Sequence, residues 1–151
     1  MPVKPDIHPL VLTQGDPEGV GPELLLHVAA AGLLRPGDRV VAQRALLSQL
    51  AEKLDHPWAK RGWQLIEPYL VEPPHSGNLG QVAILRHGVD CVLATPGAAL
   101  VTAPIDKARC RDEGFSYPGH TEYLAARPGC DEFAMSIAAP TLRAVSAPTH
   151  P

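Results

Sequence analysis

The sequence predicts an α/β fold in which helices cover a mostly parallel β-sheet. Short apolar runs alternate with amphipathic stretches in a repeated strand–helix order, which is typical of parallel sheets. A glycine-rich turn also joins the first apolar run directly to a helix, as in βα connections. The length of 151 residues is that of one domain. We therefore expect a single α/β domain over residues 1–151.

The first half of the chain predicts two strand–helix pairs and a further strand. Pro22 suits the first turn of a helix, where its missing N–H is not needed, and Gly32 suits the end of that helix. Leucines at helical spacing give the second helix one apolar face. The predicted elements are a strand at Leu10–Gln14, a helix at Pro22–Ala31, a strand at Asp38–Ala42, a helix at Arg44–Leu54 and a strand at Trp63–Ile66.

The second half predicts a loop, three helices and three strands. Proline and glycine punctuate the loop, and ALVTA is an apolar run typical of a buried strand. In order, the predictions are a loop at Pro68–Asn78, a helix at Leu79–Leu93 interrupted by Gly88, a buried strand at Ala99–Ala103, helices at Ile105–Glu113 and Thr121–Arg127, and strands at Phe133–Ile137 and Leu142–Val145.

Charge and cysteine content exclude several classes of protein. The net charge of −3 comes without a basic stripe, which argues against a nucleic-acid partner. No apolar run reaches the length of a membrane span, and the N-terminus does not resemble a signal peptide. Cys91, Cys110 and Cys130 are odd in number and far apart, so we expect neither disulfides nor a cysteine-based zinc site. These features predict a cytoplasmic protein without membrane contact.

The stretch TQGDPEGVGPE carries glycines at positions 15, 19 and 21 between the first strand and its helix. Glycines and the unpaired N–H groups of a helix start let a polar ligand approach the backbone. The spacing, however, is neither G-x-G-x-x-G nor a P-loop, and Asp16, Glu18 and Glu23 add negative charge that disfavours phosphate. Two interpretations stay open here: a ligand-holding loop, or a tight βα connection with a self-capped helix.

A second group of polar residues follows the strand at Ala99–Ala103. Thr102, Asp106 and Lys107 are placed at its carboxyl end, where open parallel sheets bind their ligands. The turn PGHTE then presents His120 and Thr121. A lysine, a histidine and a hydroxyl suit a small phosphorylated, hydroxylated substrate. The alternatives are a solvated helix residue for Lys107 and a capping or packing histidine for His120. His150 could ligate a metal, but one histidine does not make a site.

Taken together, four stretches resemble the 4-hydroxythreonine-4-phosphate dehydrogenase family of vitamin B6 biosynthesis. They are TQGDPEGVGPELLL, ALVTAPIDK, FSYPGHTEYLA and LRAVSAPTH, in the family's order and spacing. The resemblance implies an isocitrate/isopropylmalate dehydrogenase-like α/β/α sandwich that works as a homodimer. It also implies NAD-dependent oxidation of 4-phosphohydroxy-L-threonine, or a related phosphorylated hydroxy acid, with a divalent metal (Zn, Mg or Co) bound by three histidines.

The resemblance also assigns site residues. His120 and Thr121 match the family's substrate-contacting pair, and His150 matches the first of the three metal histidines. Gly15, Asp16, Glu23 and Lys107 lie in matched motifs and are candidate pocket residues without an assigned catalytic step. The chain departs from the family pattern in its length, in Ser146-Ala147-Pro148 before His150, and in Asp106, where asparagine is frequent.

Three hypotheses follow. The chain derives from such a dehydrogenase, needs a longer or complementing chain for activity, and is inactive alone because two metal histidines and most of the NAD-binding surface lie downstream in the family. Alternatively, it is a non-catalytic α/β module that at most binds a phosphorylated small molecule. The third hypothesis is an unrelated Rossmann-like domain. Relatives acting on threonate or erythronate 4-phosphate, or on dihydrodiols of aromatic acids, leave the substrate open.

Overall fold

The computed structural model describes residues 8–74, 80–127 and 134–146. The chain divides into two compact units, Met1–Ser116 and Tyr117–Pro151. The prediction of a single domain over residues 1–151 stays a prediction.

The elements of the first unit are β1 (Leu10–Thr13), α1 (Gly21–Ala30), β2 (Arg39–Val41), α2 (Arg44–Leu54), α3 (Pro57–Ile66), a short 3₁₀ helix (Glu67–Tyr69), β3 (Leu70–Val71), α4 (Gln81–Leu93), β4 (Ala99–Thr102) and α5 (Lys107–Asp112). Those of the second are α6 (His120–Ala126), β5 (Met135–Ala139) and β6 (Leu142–Ser146).

The first unit is built around a four-stranded sheet with the order β3-β2-β1-β4. All three strand pairs are parallel. β1 lies between β2 and β4, with Val11 opposite both Arg39 and Leu100. The fold class predicted from the strand–helix alternation is therefore confirmed.

Alternate residues of the central strands contribute to two different cores. Leu12 and Val40 pack with buried residues of α1, α2 and α3 on one face of the sheet. Val11 and Val41 point to the opposite face and pack with Ile84 of α4. This alternation follows from the two-residue period of a strand, and it gives the sheet a helical layer on both faces. The first unit is thus an α/β/α sandwich.

A buried carboxylate joins the beginnings of the first two strands. Asp38 is 5% exposed and accepts hydrogen bonds from the backbone N–H groups of Leu10 and Arg35, both at 2.8 Å. The Arg35 guanidinium lies 3.6 Å from the same carboxylate. A buried charge needs such partners, and here they fix the turn before β2 against the first residue of β1.

The predicted strand at Trp63–Ile66 is wrong, because these residues end helix α3. Pro57 occupies the first turn of α3, and the His56 side chain caps it by accepting from the Trp58 N–H at 3.3 Å. Ala59, Gly62 and Ile66 are buried in α3, at a helical spacing that a four-residue window does not reveal. The third strand is instead β3, inside the predicted loop Pro68–Asn78, whose residues 75–78 lie outside the described residues.

Two further predictions need correction. Gly88 does not interrupt α4, which is continuous over Gln81–Leu93. A Cβ at Gly88 would overlap the Thr13 side chain, so the glycine allows close packing of α4 on β1. The strand predicted as buried at Ala99–Ala103 ends at Thr102 and is half exposed, with Val101 45% exposed, because β4 lies at an edge of the sheet.

The second unit contains a helix and a separate hairpin. α6 confirms the predicted helix at Thr121–Arg127 to within one residue. β5 and β6 pair antiparallel, with Ile137 opposite Ala144, and form a two-stranded sheet of their own. Within the described ranges, no helix of either unit has the length and apolar character needed to cross a membrane.

Candidate functional site

Two loops meet at the carboxyl end of the parallel sheet. The β1 loop (14–20) follows β1, and the β4 loop (103–106) follows β4. Because β1 and β4 are neighbours in register, with Thr13 opposite Thr102, the two loops leave the sheet side by side. The Asp16 N–H donates to the Pro104 carbonyl at 2.9 Å, and the Ala103 N–H donates to the Thr13 carbonyl at 3.2 Å. The sequence placed Asp106 and Lys107 after the carboxyl end of the strand at Ala99–Ala103, and the structure has them there, beside the β1 loop.

Gly15 makes this close approach of the loops feasible. Its φ of +69° lies in the left-handed region, which side chains other than glycine rarely adopt. A Cβ there would also overlap the Pro104 carbonyl oxygen and lie 2.9 Å from the Ala103 carbonyl carbon. Position 15 is therefore constrained both by its backbone angle and by the β4 loop.

Asp16 holds the shape of the β1 loop from inside. The residue is 7% exposed. Its Oδ1 accepts from the Glu18 N–H at 3.1 Å, and its carbonyl accepts from the Gly19 N–H at 3.0 Å. Its Oδ2 accepts from Nη2 of Arg109 at 2.8 Å, a contact between residues 93 positions apart. Asp16 therefore ties its own turn to α5.

Arg109 is a site residue that sequence reasoning missed. Its guanidinium pairs with Asp16 and Glu18 from the β1 loop and lies 3.8 Å from the Asp106 carboxylate. The interpretation of a self-capped α1 is wrong: the cap residue Val20 has no side-chain hydrogen bond, and the nearby carboxylates face Arg109 instead. The available signal was an acidic loop matched by a basic short helix, KARCR, after the neighbouring strand.

Asp106 fixes the start of α5. Its side chain caps the helix by accepting from the Arg109 N–H at 2.8 Å, and this hydrogen bond holds the pKa of the Asp106 carboxyl below its usual range. The Gln81 amide bonds both backbone groups of Asp106, at 2.8 Å and 3.0 Å. Lys107, the first residue of α5, is exposed. The β4 loop is thus rigidly held, with Lys107 facing solvent beside it.

Glu23 lies in the first turn of α1, on the wall of a cleft. Its carboxylate is 3.7 Å from the His27 imidazole one turn later. The cleft, of about 420 Å³, lies between the β1 loop and α2. It is lined by Pro17, Glu18, Gly19, Glu23, Leu46, Gln49, Leu50 and Lys53. Lys53 is the only cation among these residues.

Gln14 is a second residue that the sequence did not indicate. It is fully buried at the end of β1, and its Oε1 accepts from the Gln43 N–H at 2.7 Å. Within the described part of the chain, its buried Nε2 has no hydrogen-bond partner. A glutamine after an apolar strand is not by itself a signal, so its burial could be seen only in the structure.

His120 and Thr121 open helix α6, after the cap residue Gly119. Burial lowers the pKa of His120, and its shielded Nε2 has no hydrogen-bond partner among the described residues. These two residues belong to the second unit. Their roles in substrate binding stay a prediction.

Comparison with known proteins decides the family. A sequence model of the family described as "Pyridoxal phosphate biosynthetic protein PdxA" matches residues 64–151, which is more than half of the chain. The chain belongs to the PdxA family. It is 34% identical, over 93% of its length, to a 4-hydroxythreonine-4-phosphate dehydrogenase of Serratia proteamaculans. It covers 48% of that protein, so the chain spans about half the length of the curated relatives it matches.

Solved structures of PdxA proteins show the same fold. A 4-hydroxythreonine-4-phosphate dehydrogenase from Klebsiella pneumoniae aligns with a TM-score of 0.68 and 25% identity, over 91% of this chain and 49% of its own. A structure from Salmonella typhimurium described as the same enzyme gives a TM-score of 0.70 at 22% identity, over 92% and 50%. The isocitrate/isopropylmalate dehydrogenase-like architecture implied by the resemblance is therefore confirmed.

The metal expected from PdxA membership does not fit the described residues by themselves. Among residues 8–74, 80–127 and 134–146, no three His, Cys, Asp or Glu side chains are grouped closely enough to hold a metal ion. His150, the predicted ligand, lies outside these ranges, as does Cys130. Cys91 and Cys110 are buried free thiols.

Proposed function

We propose that this chain forms the substrate-facing part of a PdxA-type dehydrogenase that oxidises 4-phosphohydroxy-L-threonine, or a related phosphorylated hydroxy acid, with NAD. The observation that carries the proposal is the junction of the β1 and β4 loops at the carboxyl end of the sheet, in a chain of the PdxA family. Open parallel sheets bind small ligands at this edge. The name of the Serratia relative supplies the substrate.

The site residues predicted from the sequence have the following roles in this proposal. His120 and Thr121 bind the substrate through an imidazole and a hydroxyl. Gly15, Asp16, Glu23 and Lys107 line or support the pocket, with Lys107 supplying a positive charge suited to a phosphate. Among the described residues, the buried Nε2 of His120 has no hydrogen-bond partner, and a bound ligand would supply one, which supports this role.

In the proposed reaction, NAD would accept the hydride and a divalent metal would polarise the reacting hydroxyl. The described residues hold no metal-binding group, and the glycine spacing of the β1 loop is not that of a dinucleotide-binding loop. We expect the 151-residue chain alone to bind substrate without oxidising it. Activity would need a longer or complementing chain that supplies the remaining ligands, and we expect the active form to be a homodimer in the cytoplasm.

Equilibrium binding tests the proposal directly. Calorimetric titration of the full chain with 4-phosphohydroxy-L-threonine, with and without Zn²⁺ or Mg²⁺, should show binding. His120→Ala should weaken it by about tenfold or more, the value of one lost hydrogen bond to a charged group. His87→Ala, which removes a histidine on α4, is the matched control and should have little effect. Absence of binding to the wild-type chain, or equal losses in both variants, would contradict the proposal.

The alternative function is a non-catalytic module that binds a phosphorylated small molecule. The lack of a metal-binding group among the described residues favours it for the isolated chain. An assay of NADH formation separates the two cases. Metal-stimulated NADH production by this polypeptide would show that the chain is an enzyme by itself, whereas production only after addition of a complementing chain would favour the dehydrogenase proposal.

A further inference from the structure

Arg109 joins the two loops of the candidate site through three carboxylates. Asp16 and Glu18 come from the β1 loop, and Asp106 precedes α5 at the end of the β4 loop. Arg109 itself lies on α5 and is 39% exposed at its side chain, whereas the Asp16 side chain is only 9% exposed. The contact between Arg109 and Asp16 is therefore partly shielded from water, where an ion pair is stronger than at an open surface.

Two of the carboxylates that contact Arg109, those of Asp106 and Asp16, are held in place by further hydrogen bonds. Asp106 donates its N–H to Gln81 Oε1 and accepts from Gln81 Nε2 at its carbonyl, and its side chain caps α5 by accepting from the Arg109 N–H. Asp16 is held by the hydrogen bond from its N–H to Pro104 and by its acceptance from Glu18. A guanidinium presents several donors in a fixed plane, which suits simultaneous contact with carboxylates from different segments.

Arg109 also changes the charge that the β1 loop presents. Without it, Asp16, Glu18 and Asp106 would stand together as unneutralised carboxylates and would repel an anionic substrate. Partial burial lowers the pKa of Arg109, but the hydrogen bond with Glu18 and the nearby carboxylates outweigh this and raise it. An arginine side chain keeps its proton in proteins, so the guanidinium supplies a lasting positive charge at this position.

We propose that Arg109 is a positioning residue of the candidate site: it holds the β1 loop on the β4 loop and neutralises the loop carboxylates so that a phosphorylated substrate can bind. This inference rests on the proposed function for its substrate, but the loop contact itself does not. Sequence motifs of the site do not include Arg109, and its role follows from contacts 93 residues apart along the chain.

Hydrogen exchange of the full chain tests the positioning role without any ligand. In Arg109→Met, the Asp16 amide should exchange about tenfold faster. Loss of a charge-assisted hydrogen bond can have a larger effect, but Arg109 is partly exposed, and water weakens its ion pairs. Amides in the middle of α1, such as Leu26, should keep their rates. Arg109→Lys keeps the charge but not the planar fork, and we expect an intermediate rate. An unchanged Asp16 amide in Arg109→Met would overturn the proposal.

Arg111→Met is the matched control. Arg111 lies on the same helix, is exposed, and forms no ion pair with these carboxylates in the described structure. The variant changes the net charge by the same amount, so it should leave the Asp16 amide unaffected. An equal acceleration in Arg111→Met would show a general charge effect and would overturn the positioning role.

Binding supplies the second arm of the test. We expect Arg109→Met to weaken 4-phosphohydroxy-L-threonine binding by about tenfold, Arg109→Lys to recover part of the loss, and Arg111→Met to change binding less than about twofold. If the wild-type chain binds no phosphorylated hydroxy acid, the proposed function fails, and the exchange result still decides whether Arg109 positions the loop. If Arg109→Met binds as tightly as wild type, the neutralising role is overturned. If Arg109→Met does not fold, the exchange rates of Arg109→Lys and Arg111→Met decide in its place: equal rates contradict the proposal.

Discussion

The parallel sheet and the β5–β6 hairpin are built from similar sequence patterns but differ in how their apolar residues are covered. In the sheet, Val11 and Val40 are at most 1% exposed, because helices pack on both faces. In the hairpin, Ile137 is 72% exposed and Leu142 67% exposed. The comparison teaches that short apolar runs specify strands, while the burial of those strands depends on which helices pack on them.

Core truncation should separate the two regions by the largest margin. Leu26 is fully buried, so Leu26→Ala should lower the free energy of unfolding by about 2–5 kcal/mol through lost burial and a cavity. Ile137→Ala, in the exposed hairpin, should change it by about 0.5 kcal/mol or less. Urea unfolding of both variants measures the difference. Similar losses in the two variants would remove the distinction between the regions.

Gly15 and Gly32 have nearly the same φ angle but different surroundings, so alanine substitutions at the two positions can be compared. Gly15 and Gly32 have φ values of +69° and +68°, but a Cβ at Gly15 would overlap the β4 loop, whereas Gly32 has nothing within 4 Å. Gly32→Ala should cost about 1 kcal/mol from the backbone angle alone, and Gly15→Ala about 1–3 kcal/mol more. Thermal unfolding of both proteins measures this. Equal losses of stability in the two variants would mean that the β1 and β4 loops move apart at Gly15 without an energetic penalty.

Acid should weaken the two units of the chain in different pH windows, and we expect these effects to be smaller than those of the core and glycine substitutions. Burial lowers the pKa of His120, so below about pH 6.5 the unfolded chain takes up a proton that the folded chain does not, and stability falls as the pH falls. The pKa of Asp106 is lowered by its hydrogen bond from the Arg109 N–H, so its contribution is complete above about pH 4 and is lost below it.

Unfolding free energies measured from pH 8 to pH 3 test both windows. We expect His120→Gln to remove the decline that begins near pH 6.5 and Asp106→Asn to remove part of the decline below about pH 4. A wild-type curve that is flat between pH 7 and pH 5 would contradict the shielded state of His120. An unchanged acid limb in Asp106→Asn would contradict the capping role of its carboxylate.

Local patterns predicted the elements that depend on local physics. β1, α1, β2 and α2 agree with the sequence prediction to within one residue, because proline, glycine and leucine spacing define their ends and faces. The helix at Trp63–Ile66 was missed because its apolar spacing is visible only when Ala59 and Gly62 are included. The exposure of β4 could not be predicted, because it depends on the strand order of the sheet.

In the candidate site, too, local patterns predicted some residues, while others depend on the assembled fold. The motifs carrying Gly15, Asp16 and Lys107 predicted loops after two strands of a parallel sheet, whereas the meeting of these loops depends on β1 and β4 being neighbours. Arg109 and Gln14 were not predicted. The basic stretch KARCR does not show which of its residues pairs with a loop 93 positions away, and a buried amide leaves no local pattern. Such contacts are set by packing, which is decided only when the whole sheet is assembled.

The two edge strands of the sheet in the first unit, β3 and β4, differ in how well they could pair with a further strand. β3 offers two residues and is followed by Glu72 and then by Pro73 and Pro74, which have no backbone N–H to donate to a further strand. β4 offers four residues, and among the described residues no strand pairs with its outer side. The edge at Ala99–Thr102 is therefore better suited than β3 to receive a further strand, whether from the same polypeptide or from another.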